Sequence, residues 1–268
     1  MTDWLQVCRD SAVAVGRVLD ELPTRVEREP RVGDGEGGDE TTAVDAAAEE
    51  AVVRRLEALA DTGAGFTLIS EELGERVFGD GDLRVVCDPI DGSLNAKRGI
   101  PFFSLSLAVA SGPRMADVEL GFVHDFGSGE EWVARRGEGA FLDGRPLVGP
   151  APKERVEILS FEATRTDLVA ERVAGMIGFA YRTRIMGSLA LSLCHLAAGR
   201  VDAVVSLKPA RSVDIAAAQL LVRERGLAIE LPEDPPFGAA PLDLAARSRV
   251  VAAATPELCA ELHARLSE

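Results

Sequence analysis

A mostly apolar run at positions 83–87 ends directly in the segment 88–93, which reads Asp-Pro-Ile-Asp-Gly-Ser. A short apolar run that is followed by a turn sequence predicts a buried strand. Two carboxylates three residues apart at the end of such a strand can bind one hard cation, and magnesium prefers oxygen ligands. Gly92 lets the backbone approach a ligand closely, and Ser93 can open a helix whose free N–H groups face an anion such as phosphate. The alternative is an Asp-Pro turn with a polar helix cap, which this segment alone leaves open.

The net charge of the chain limits its partners. The 268 residues carry a formal charge of −15, which disfavours nucleic acid and anionic membranes as partners. The same charge would repel a phosphate substrate unless bound cations reverse the local field. No apolar stretch is long enough to span a membrane, and the N-terminus lacks the pattern of a secretory signal. The four cysteines are scattered without metal-binding spacing, so we expect buried thiols in a cytoplasmic protein.

Apolar periodicity predicts a mixed fold, α+β in the first half of the chain and α/β in the second. We expect an N-terminal subdomain at residues 1–150 and a C-terminal subdomain at residues 151–268, because the turn-rich sequence Gly-Pro-Ala-Pro occupies positions 149–152. The segment 31–40, rich in glycine and acidic residues, is predicted to be a flexible loop. Helices are expected at residues 3–22, 41–60, 188–198 and 212–224, and strands at 66–69, 102–110, 118–124, 131–135, 181–186 and 201–205.

Acidic residues recur in four places where predicted strands end or helices begin. They are the pair Glu71 and Glu72, the pair Asp88 and Asp91, the single Asp214, and the pair Asp39 and Asp45. Asp214 is the most informative, because it lies within the apolar sequence Val-Asp-Ile-Ala-Ala, where a carboxylate is costly unless it is paired or bound to a metal. Its alternative role is that of a helix N-cap, a position at which Asp is favoured.

Several segments together resemble the inositol monophosphatase family, and within it the archaeal-type inositol monophosphatase/fructose-1,6-bisphosphatase enzymes. The resemblance is carried by residues 69–72 (Ile-Ser-Glu-Glu), 88–95 (Asp-Pro-Ile-Asp-Gly-Ser-Leu-Asn) and 213–217 (Val-Asp-Ile-Ala-Ala), with further likeness at 42–49, 99–106 and 187–203. These segments occur in the family's order and spacing over residues 39–226. One such motif would be weak, whereas several in order are a strong signal.

The resemblance implies a five-layer αβαβα sandwich of the sugar-phosphatase type, usually a homodimer. It also implies a Mg²⁺-dependent phosphomonoesterase that uses metal-activated water, with two or three ions and with Mn²⁺ as a possible substitute. The residues that match the family's metal ligands are Glu72, Asp88, Asp91, Asp214, the carbonyl of Ile90 and, for a third ion, Asp39. The residues that match its catalytic positions are Asp45 and Ser93, which orient the water, and Glu71, the less direct acid of its pair. Most predicted ligands thus fall in the N-terminal subdomain, and the last metal aspartate falls in the C-terminal one.

The substrate is expected to be a small phosphorylated sugar or inositol. The N–H groups of Gly92 and Ser93 would hold phosphate oxygens, and the segment at Gly187 and Ser188 matches the family's substrate side. A basic cluster of Tyr181, Arg182, Arg184, Lys208 and Arg211 could hold a second phosphate, as in fructose 1,6-bisphosphate, or could be ordinary surface charge. Two other readings stay open, another small-molecule phosphatase such as a nucleotide 3′-phosphatase, and a non-catalytic homologue that binds a ligand.

Overall fold

The computed structural model describes residues 2–38, 40–79, 81–148, 155–162, 165–233 and 235–267. The helices are α1 Trp4–Glu21, α2 Arg25–Arg28, α3 Ala43–Ala60, α4 Ser93–Arg98, α5 Thr166–Arg172, α6 Leu189–Ala197, α7 Ser212–Glu224 and α8 Pro256–Ser267. The first strands are β1 Arg31–Asp34, β2 Glu40–Thr42, β3 Phe66–Ser70, β4 Gly74–Phe78, β5 Arg84–Asp91, β6 Ser104–Ala110, β7 Val118–Asp125 and β8 Glu131–Arg135. The remaining strands are β9 Gly139–Leu142, β10 Arg145–Pro146, β11 Val156–Glu162, β12 Ala180–Arg184, β13 Ala203–Ser206, β14 Ala228–Glu230 and β15 Val251–Ala253.

The larger sheet has eight strands in the order β10-β9-β8-β7-β6-β5-β3-β4, and within it only β3 and β5 are paired in parallel. Its central strands are buried on both faces: every residue of β6 is buried, although the alternation of serine with apolar residues in its sequence predicted a half-buried strand. Val85 and Cys87 pack with the core under α1 and α3, whereas Val86 points to the opposite face, toward α6 and α7. This alternation is the two-residue period of a strand.

The smaller sheet has five strands in the order β12-β11-β13-β15-β14. Strand β13 contributes Val204 to the core shared with α6 and α7, and Val205 to the core on the other side, which includes Leu262 of α8. The layers are therefore α1 and α3, the eight-stranded sheet, α6 and α7, the five-stranded sheet, and α5 with α8. The predicted mixed fold with a five-layer αβαβα sandwich is confirmed.

The segment 31–40 differs from its prediction. Rather than being an irregular loop throughout, it contains β1 and the start of β2, which form an antiparallel hairpin in which Arg31 pairs with Thr42. The hairpin is polar on its exposed side, and Arg31 forms ion pairs with Asp34 and Glu40. The loop predicted from the glycine and acidic residues is therefore wrong for the paired part of the segment. The strand pairing there depends on backbone hydrogen bonds and ion pairs and not on apolar alternation.

Other expectations can be compared directly with the structure. The predicted helix at 212–224 coincides with α7, and the predicted strands at 118–124 and 131–135 are the antiparallel neighbours β7 and β8. All four cysteines are free and buried, as expected for core thiols. Among the described residues, no helix is both long enough and apolar enough to span a membrane. The predicted subdomain boundary at 149–152 lies outside the described residues.

Candidate active site

A pocket of about 810 Å³ opens where the ends of β3 and β5 approach the N-terminal turns of α4 and α7. The predicted site residues that line it are Asp45, Glu71, Glu72, Asp88, Ile90, Asp91, Gly92, Ser93, Gly187, Lys208, Arg211 and Asp214. These residues come from α3, from the larger sheet and the turns next to it, and from the segments that precede α6, follow β13 and begin α7. The fold thus brings together residues that are far apart in the sequence.

Three acids form the centre of this pocket. Carboxylate oxygens of Glu71, Asp88 and Asp214 all lie within 4.8 Å of one another. Glu71 follows β3, Asp88 lies in β5, and Asp214 lies in the first turn of α7. Three carboxylates at this spacing repel one another, so the arrangement favours the binding of a cation between them.

The orientation of Asp88 and Asp91 depends on a bulge in β5. Asp88 pairs with Ser106 and Asp91 pairs with Ser104, so three steps along β5 correspond to two steps along β6. In a regular strand, residues three apart point to opposite faces. The extra residue turns both carboxylates toward the layer that contains α6 and α7.

Asp214 combines two roles that the sequence left as alternatives. It is the third residue of α7 and not its N-cap, which is Arg211. Its Oδ2 accepts a hydrogen bond of 2.7 Å from the backbone N–H of Arg211, while its Oδ1 lies 3.2 Å from the Arg211 guanidinium. A carboxylate in this first turn also interacts favourably with the helix dipole. Asp214 therefore stabilises the start of α7 and belongs to the acidic cluster at the same time.

The structure places Glu71 with Asp88 and Asp214, whereas Glu72, the acid predicted as the ligand, is not part of this cluster. Glu72 lines the pocket, but its carboxylate accepts a hydrogen bond from Thr41 Oγ1. The turn that contains both acids is held by buried Glu49, which accepts hydrogen bonds from Ser70 Oγ and from the backbone of Leu73. This long-range support fixes which of two adjacent side chains enters the cluster.

Asp91 is held by the N-terminal turn of α6. Its Oδ2 accepts a hydrogen bond from Ser188 Oγ and another, 2.8 Å long, from the backbone N–H of Ala190. Ser188 is also the N-cap of α6 and accepts a hydrogen bond from the N–H of Leu191. Ser188 thus contacts the acid of β5 directly, whereas Gly187 lines the pocket.

The catalytic pair predicted from the sequence lies on two helix starts. Asp45 Oδ2 accepts a 3.1 Å hydrogen bond from the N–H of Thr42, which caps α3. Among the atoms of the described residues, Asp45 Oδ1 is buried without a hydrogen-bond partner. Ser93 Oγ donates a 3.0 Å hydrogen bond to the carbonyl oxygen of Ile90. A buried acceptor and a hydroxyl therefore both lie in the lining of the acidic pocket.

Gly92 needs a conformation that only glycine adopts easily. Its φ is +97°, and a Cβ atom at this position would lie 3.0 Å from the carbonyl oxygen of Gly187. The same turn is tied to the substrate-side segment by Asn95 Nδ2, which donates a 2.7 Å hydrogen bond to the carbonyl of Met186. The motif at 88–93 and the segment near Gly187 therefore form one packed unit.

Only part of the predicted basic cluster lines the pocket. Lys208 and Arg211 do, whereas Tyr181, Arg182 and Arg184 lie on the exposed strand β12 and are not among its described lining residues. Tyr181 is 77% exposed and lines a different cavity. The local sequence could not reveal this, because it does not contain the position of β12 at the edge of its sheet. Asp39, predicted as a ligand of a third ion, lies outside the described residues.

Glu162, at the end of β11, was not predicted as a site residue. It is buried, lines the pocket, and accepts hydrogen bonds from the N–H of Gly187 at 2.9 Å and from Ser192 Oγ at 2.6 Å. It thereby holds the turn that precedes α6. The signal was available in the sequence, because Glu162 is another acid at the end of an apolar strand.

Burial raises the pKa values of three acids in the pocket lining, Glu71, Asp88 and Asp91. Burial raises the pKa of Glu71 to about 8, against the opposing charge of Arg211 and with the support of Asp214. Burial likewise raises the pKa of Asp91 to about 7, although the hydrogen bond from Ser188 acts in the other direction. The pKa of Asp88 is raised well above its usual range by burial, and next by the charge of Glu71. Ionising all of these groups together is therefore costly without a cation.

Comparison with protein families decides the class of this site. A profile of the inositol monophosphatase family matches residues 2–268. The chain belongs to the inositol monophosphatase family. The members of this family are metal-dependent phosphatases, so the chain is a member of a hydrolase family. The resemblance inferred from residues 69–72, 88–95 and 213–217 is confirmed.

The relatives of this inositol monophosphatase family member include proteins named as phosphatases and a protein named as a Nus factor. The fructose-1,6-bisphosphatase/inositol-1-monophosphatase of Methanothermobacter thermautotrophicus is 34% identical over 234 residues, which cover 83% of this chain and 82% of that protein. The Nus factor SuhB of Pasteurella multocida is 36% identical over 194 residues, 70% of each chain. A crystal structure of an inositol monophosphatase–fructose 1,6-bisphosphatase is 26% identical, with a TM-score of 0.84 over 98% of this chain and 100% of that one.

The residues present fit the metal dependence of the inositol monophosphatase family. The clustered donors are carboxylate oxygens, which suit hard divalent cations, and the cluster contains no softer ligand among the described residues. The buried and unpartnered Oδ1 of Asp45 is a further oxygen acceptor in the pocket lining. The acidic cluster could therefore hold a metal ion of this kind.

Proposed function

We propose that this protein is a Mg²⁺-dependent phosphomonoesterase that hydrolyses inositol monophosphate, fructose 1,6-bisphosphate or both. The observation that carries the proposal is the cluster of Glu71, Asp88 and Asp214, whose oxygens lie within 4.8 Å of one another in a pocket of a phosphatase-family chain. Three carboxylates at this spacing repel one another, so their proximity favours a role in binding a cation.

The metal ligands that we propose are the side chains of Glu71, Asp88, Asp91 and Asp214 and the carbonyl of Ile90. Glu71 replaces Glu72, because the Glu72 carboxylate is engaged with Thr41. We expect two or three magnesium ions, with manganese as a substitute. Magnesium supplies charge that activates water and neutralises the leaving oxygen. The number of ions and the role of Asp39 follow from the family resemblance and stay predictions.

Asp45 and Ser93 would orient the attacking water. Asp45 uses one oxygen to cap α3, which fixes its side chain and leaves Oδ1 available as a proton acceptor. Ser93 also lines the pocket, and its Oγ donates a hydrogen bond to the carbonyl oxygen of Ile90. The N–H groups of Gly92 and Ser93 would hold the phosphate oxygens, because they stand at the free start of α4.

We place the substrate side of the pocket around Lys208 and Gly187. Lys208 and Gly187 line the pocket and are the predicted substrate residues that best fit a role in binding. Lys97, which the sequence did not single out, also lines it and adds a positive charge. A second phosphate, as in fructose 1,6-bisphosphate, would be attracted to these lysines. We do not assign this role to Tyr181, Arg182 or Arg184, because they lie on the exposed strand β12.

A substrate panel tests the proposal. Purified protein is incubated with Mg²⁺ or with EDTA and with inositol 1-phosphate, fructose 1,6-bisphosphate or adenosine 3′,5′-bisphosphate. We expect phosphate release from at least one of the first two substrates, and loss of that activity in EDTA and in Asp88→Asn. Release from the nucleotide alone would favour a nucleotide 3′-phosphatase. Magnesium binding without hydrolysis of any ester would favour a non-catalytic homologue.

The likeness to the Nus factor SuhB of Pasteurella multocida gives a specific reason to consider a second candidate function, the binding of a macromolecular partner such as RNA. The net charge of −15 opposes it, because binding to a polyanion depends on basic surface. We expect no shift of a labelled RNA in a native gel at physiological salt. A salt-sensitive shift would support this second candidate.

We further propose that residues 1–150 and 151–268 act as two subdomains with the site between them, in a cytoplasmic homodimer. The support for the subdomains is that β3 to β10 form one sheet and β11 to β15 form the other. Light scattering should give a mass of about twice 28.4 kDa. A monomeric mass at micromolar concentration would contradict the dimer.

A further inference from the structure

Arg211 inserts its side chain into the acidic cluster. Its Nη2 lies 2.6 Å from Glu71 Oε1 and 3.2 Å from Asp214 Oδ1, and the side chain is only 12% exposed. A guanidinium is positively charged at every physiological pH. Two of the four acids that we propose as metal ligands, Glu71 and Asp214, are therefore already paired with a cation that belongs to the chain itself.

The backbone fixes this arrangement. Arg211 is the N-cap of α7, and its N–H donates to Asp214 Oδ2, so the side chain begins next to the acid that it contacts. The turn of the hairpin formed by β1 and β2 contacts the same acid that Arg211 pairs with, since the N–H of Gly37 donates a 2.8 Å hydrogen bond to the carbonyl oxygen of Glu71. A Cβ atom at Gly37 would lie 2.6 Å from Arg211 Nη1, so a larger residue there would collide with the guanidinium.

We propose that Arg211 competes with magnesium for Glu71 and Asp214, and that its displacement sets the metal concentration at which the site fills. The inference rests on the proposed metal role of these two acids. Magnesium binds its oxygen ligands at about 2.0–2.1 Å, in strict octahedral geometry. A guanidinium on the same carboxylate oxygen would occupy a coordination direction and would bring two positive charges into close contact.

The competition has a cost on both sides. Without a cation, the buried acids repel one another, so Arg211 stabilises the metal-free fold. Magnesium can bind only when the two ion pairs of Arg211 are broken. The observed affinity for magnesium is therefore the intrinsic affinity multiplied by the fraction of molecules in which these ion pairs are broken. Removing the guanidinium should therefore weaken the metal-free protein and strengthen metal binding, whereas an ordinary supporting residue would lower both.

Calorimetric titration with magnesium alone tests the proposal in three variants. Arg211→Gln should bind Mg²⁺ about tenfold more tightly than wild type, because no guanidinium competes with the metal for Glu71 and Asp214. Arg211→Lys should lie between them, since it keeps the charge but loses the forked contact. The matched control is Arg247→Gln, which also removes a pocket arginine, but one whose guanidinium donates to the backbone carbonyls of Gly37 and Ala246. Its Mg²⁺ affinity should change by less than about twofold.

Each result has one meaning. Affinity of Arg211→Gln that is equal to or lower than that of wild type overturns the competition, and so does an equal gain in Arg247→Gln. If wild type binds no Mg²⁺, the proposed metal site fails first, and the two failures are thereby distinguished.

If Arg211→Gln does not fold, crystals of wild type decide the question, because they need no variant. Structures grown with EDTA and with Mn²⁺ should differ at Arg211, whose guanidinium should leave Glu71 when manganese is bound. An Arg211–Glu71 ion pair that persists beside bound manganese overturns the proposal.

Discussion

Ser188 Oγ donates a hydrogen bond to Asp91 Oδ2 across 97 positions of the chain. Asp91 ends β5 of the larger sheet, whereas Ser188 begins α6 of the helical layer between the sheets. The N–H of Ala190 donates to the same oxygen, so the start of α6 holds this carboxylate with both a side chain and the backbone. An acid from the first half of the chain is thus positioned by the second half.

Replacing Ser188 with alanine should weaken both the fold and the metal site. The variant loses the cap of α6 and one hydrogen bond to Asp91, which together should cost about 1–2 kcal/mol of unfolding free energy. Without that bond Asp91 is less well oriented, so the Mg²⁺ dissociation constant should rise. Urea unfolding and calorimetry measure the two effects.

The control for Ser188→Ala is Ser128→Ala. Ser128 Oγ donates a 2.7 Å hydrogen bond to Asp125 Oδ2 at a turn that does not contribute to the described pocket lining. The Ser128→Ala variant should be less stable than wild type, and its Mg²⁺ affinity should be unchanged. Equal metal affinity in both serine variants would contradict the role given to Ser188.

Replacing Asp88 with asparagine should make the metal-free protein more stable. Asp88 is buried among like charges, and its Oδ1 accepts a hydrogen bond from the N–H of Ile90, which an asparagine oxygen can also accept. Removing the charge should add about 1–3 kcal/mol to the unfolding free energy at neutral pH and abolish the stabilisation by Mg²⁺. Thermal unfolding with and without Mg²⁺ measures both changes.

Asp125→Asn is a matched comparison for Asp88→Asn. Asp125 is also buried, but its carboxylate is satisfied by the N–H of Gly127 and by Ser128. It should lose stability and keep the response to Mg²⁺. A metal-free Asp88→Asn protein less stable than wild type would show that the acids of the cluster support the fold, contrary to our view.

Local pattern was enough to predict much of the fold and part of the site. The apolar run before Asp88 and the helical pattern of α7 are set by burial, which the sequence expresses directly. The choice between Glu71 and Glu72 is different, because two adjacent acids after a strand look alike. It depends on Glu49, which holds the turn from another element, and on Thr41, which engages Glu72.

The positions of the basic residues were the least predictable. Lys208 and Arg184 have similar sequence surroundings of polar and apolar residues, yet only Lys208 lines the pocket. Strand β12, which ends at Arg184, is at the edge of the smaller sheet, whereas β13, which precedes Lys208, is inside it, and no local pattern contains this strand order. The pairing of Arg31 with Thr42 in the hairpin of β1 and β2 could not be predicted for the same reason, because local pattern does not show which strands pair.

Replacing Asp45 with asparagine should separate catalysis from metal binding. An asparagine oxygen can still accept the hydrogen bond from the N–H of Thr42, so α3 keeps its cap. The variant loses the carboxylate Oδ1 that we propose as the proton acceptor, so kcat should fall by about 10²–10⁴ while Mg²⁺ affinity changes little. Steady-state kinetics and calorimetry on the same sample give the two values.

Glu27→Gln provides the control for Asp45→Asn. Glu27 accepts a hydrogen bond from the N–H of Thr24 in the same capping geometry, at the start of the exposed helix α2. It should leave kcat unchanged. A tenfold or larger fall in Mg²⁺ affinity for Asp45→Asn would instead make Asp45 a metal ligand.

The stability of the metal-free protein should fall as the pH rises from about 5 to about 8. The pKa of Glu71 is raised to about 8 and that of Asp91 to about 7, in both cases chiefly by burial. Because both folded-state values exceed those of the unfolded chain, the folded state binds more protons in this range, and deprotonation on raising the pH favours unfolding. Taken together, the two shifts correspond to a loss of about 6 kcal/mol over this range. Mg²⁺ needs deprotonated ligands, so its affinity should increase over the same range, and the rise in Tm on adding Mg²⁺ should be larger near pH 8 than near pH 6. Unfolding curves in EDTA and in Mg²⁺ at matched ionic strength measure both trends. A metal-free stability that rises with pH would contradict the prediction, because it would mean that these carboxylates are ionised in the folded protein at pH values well below 7.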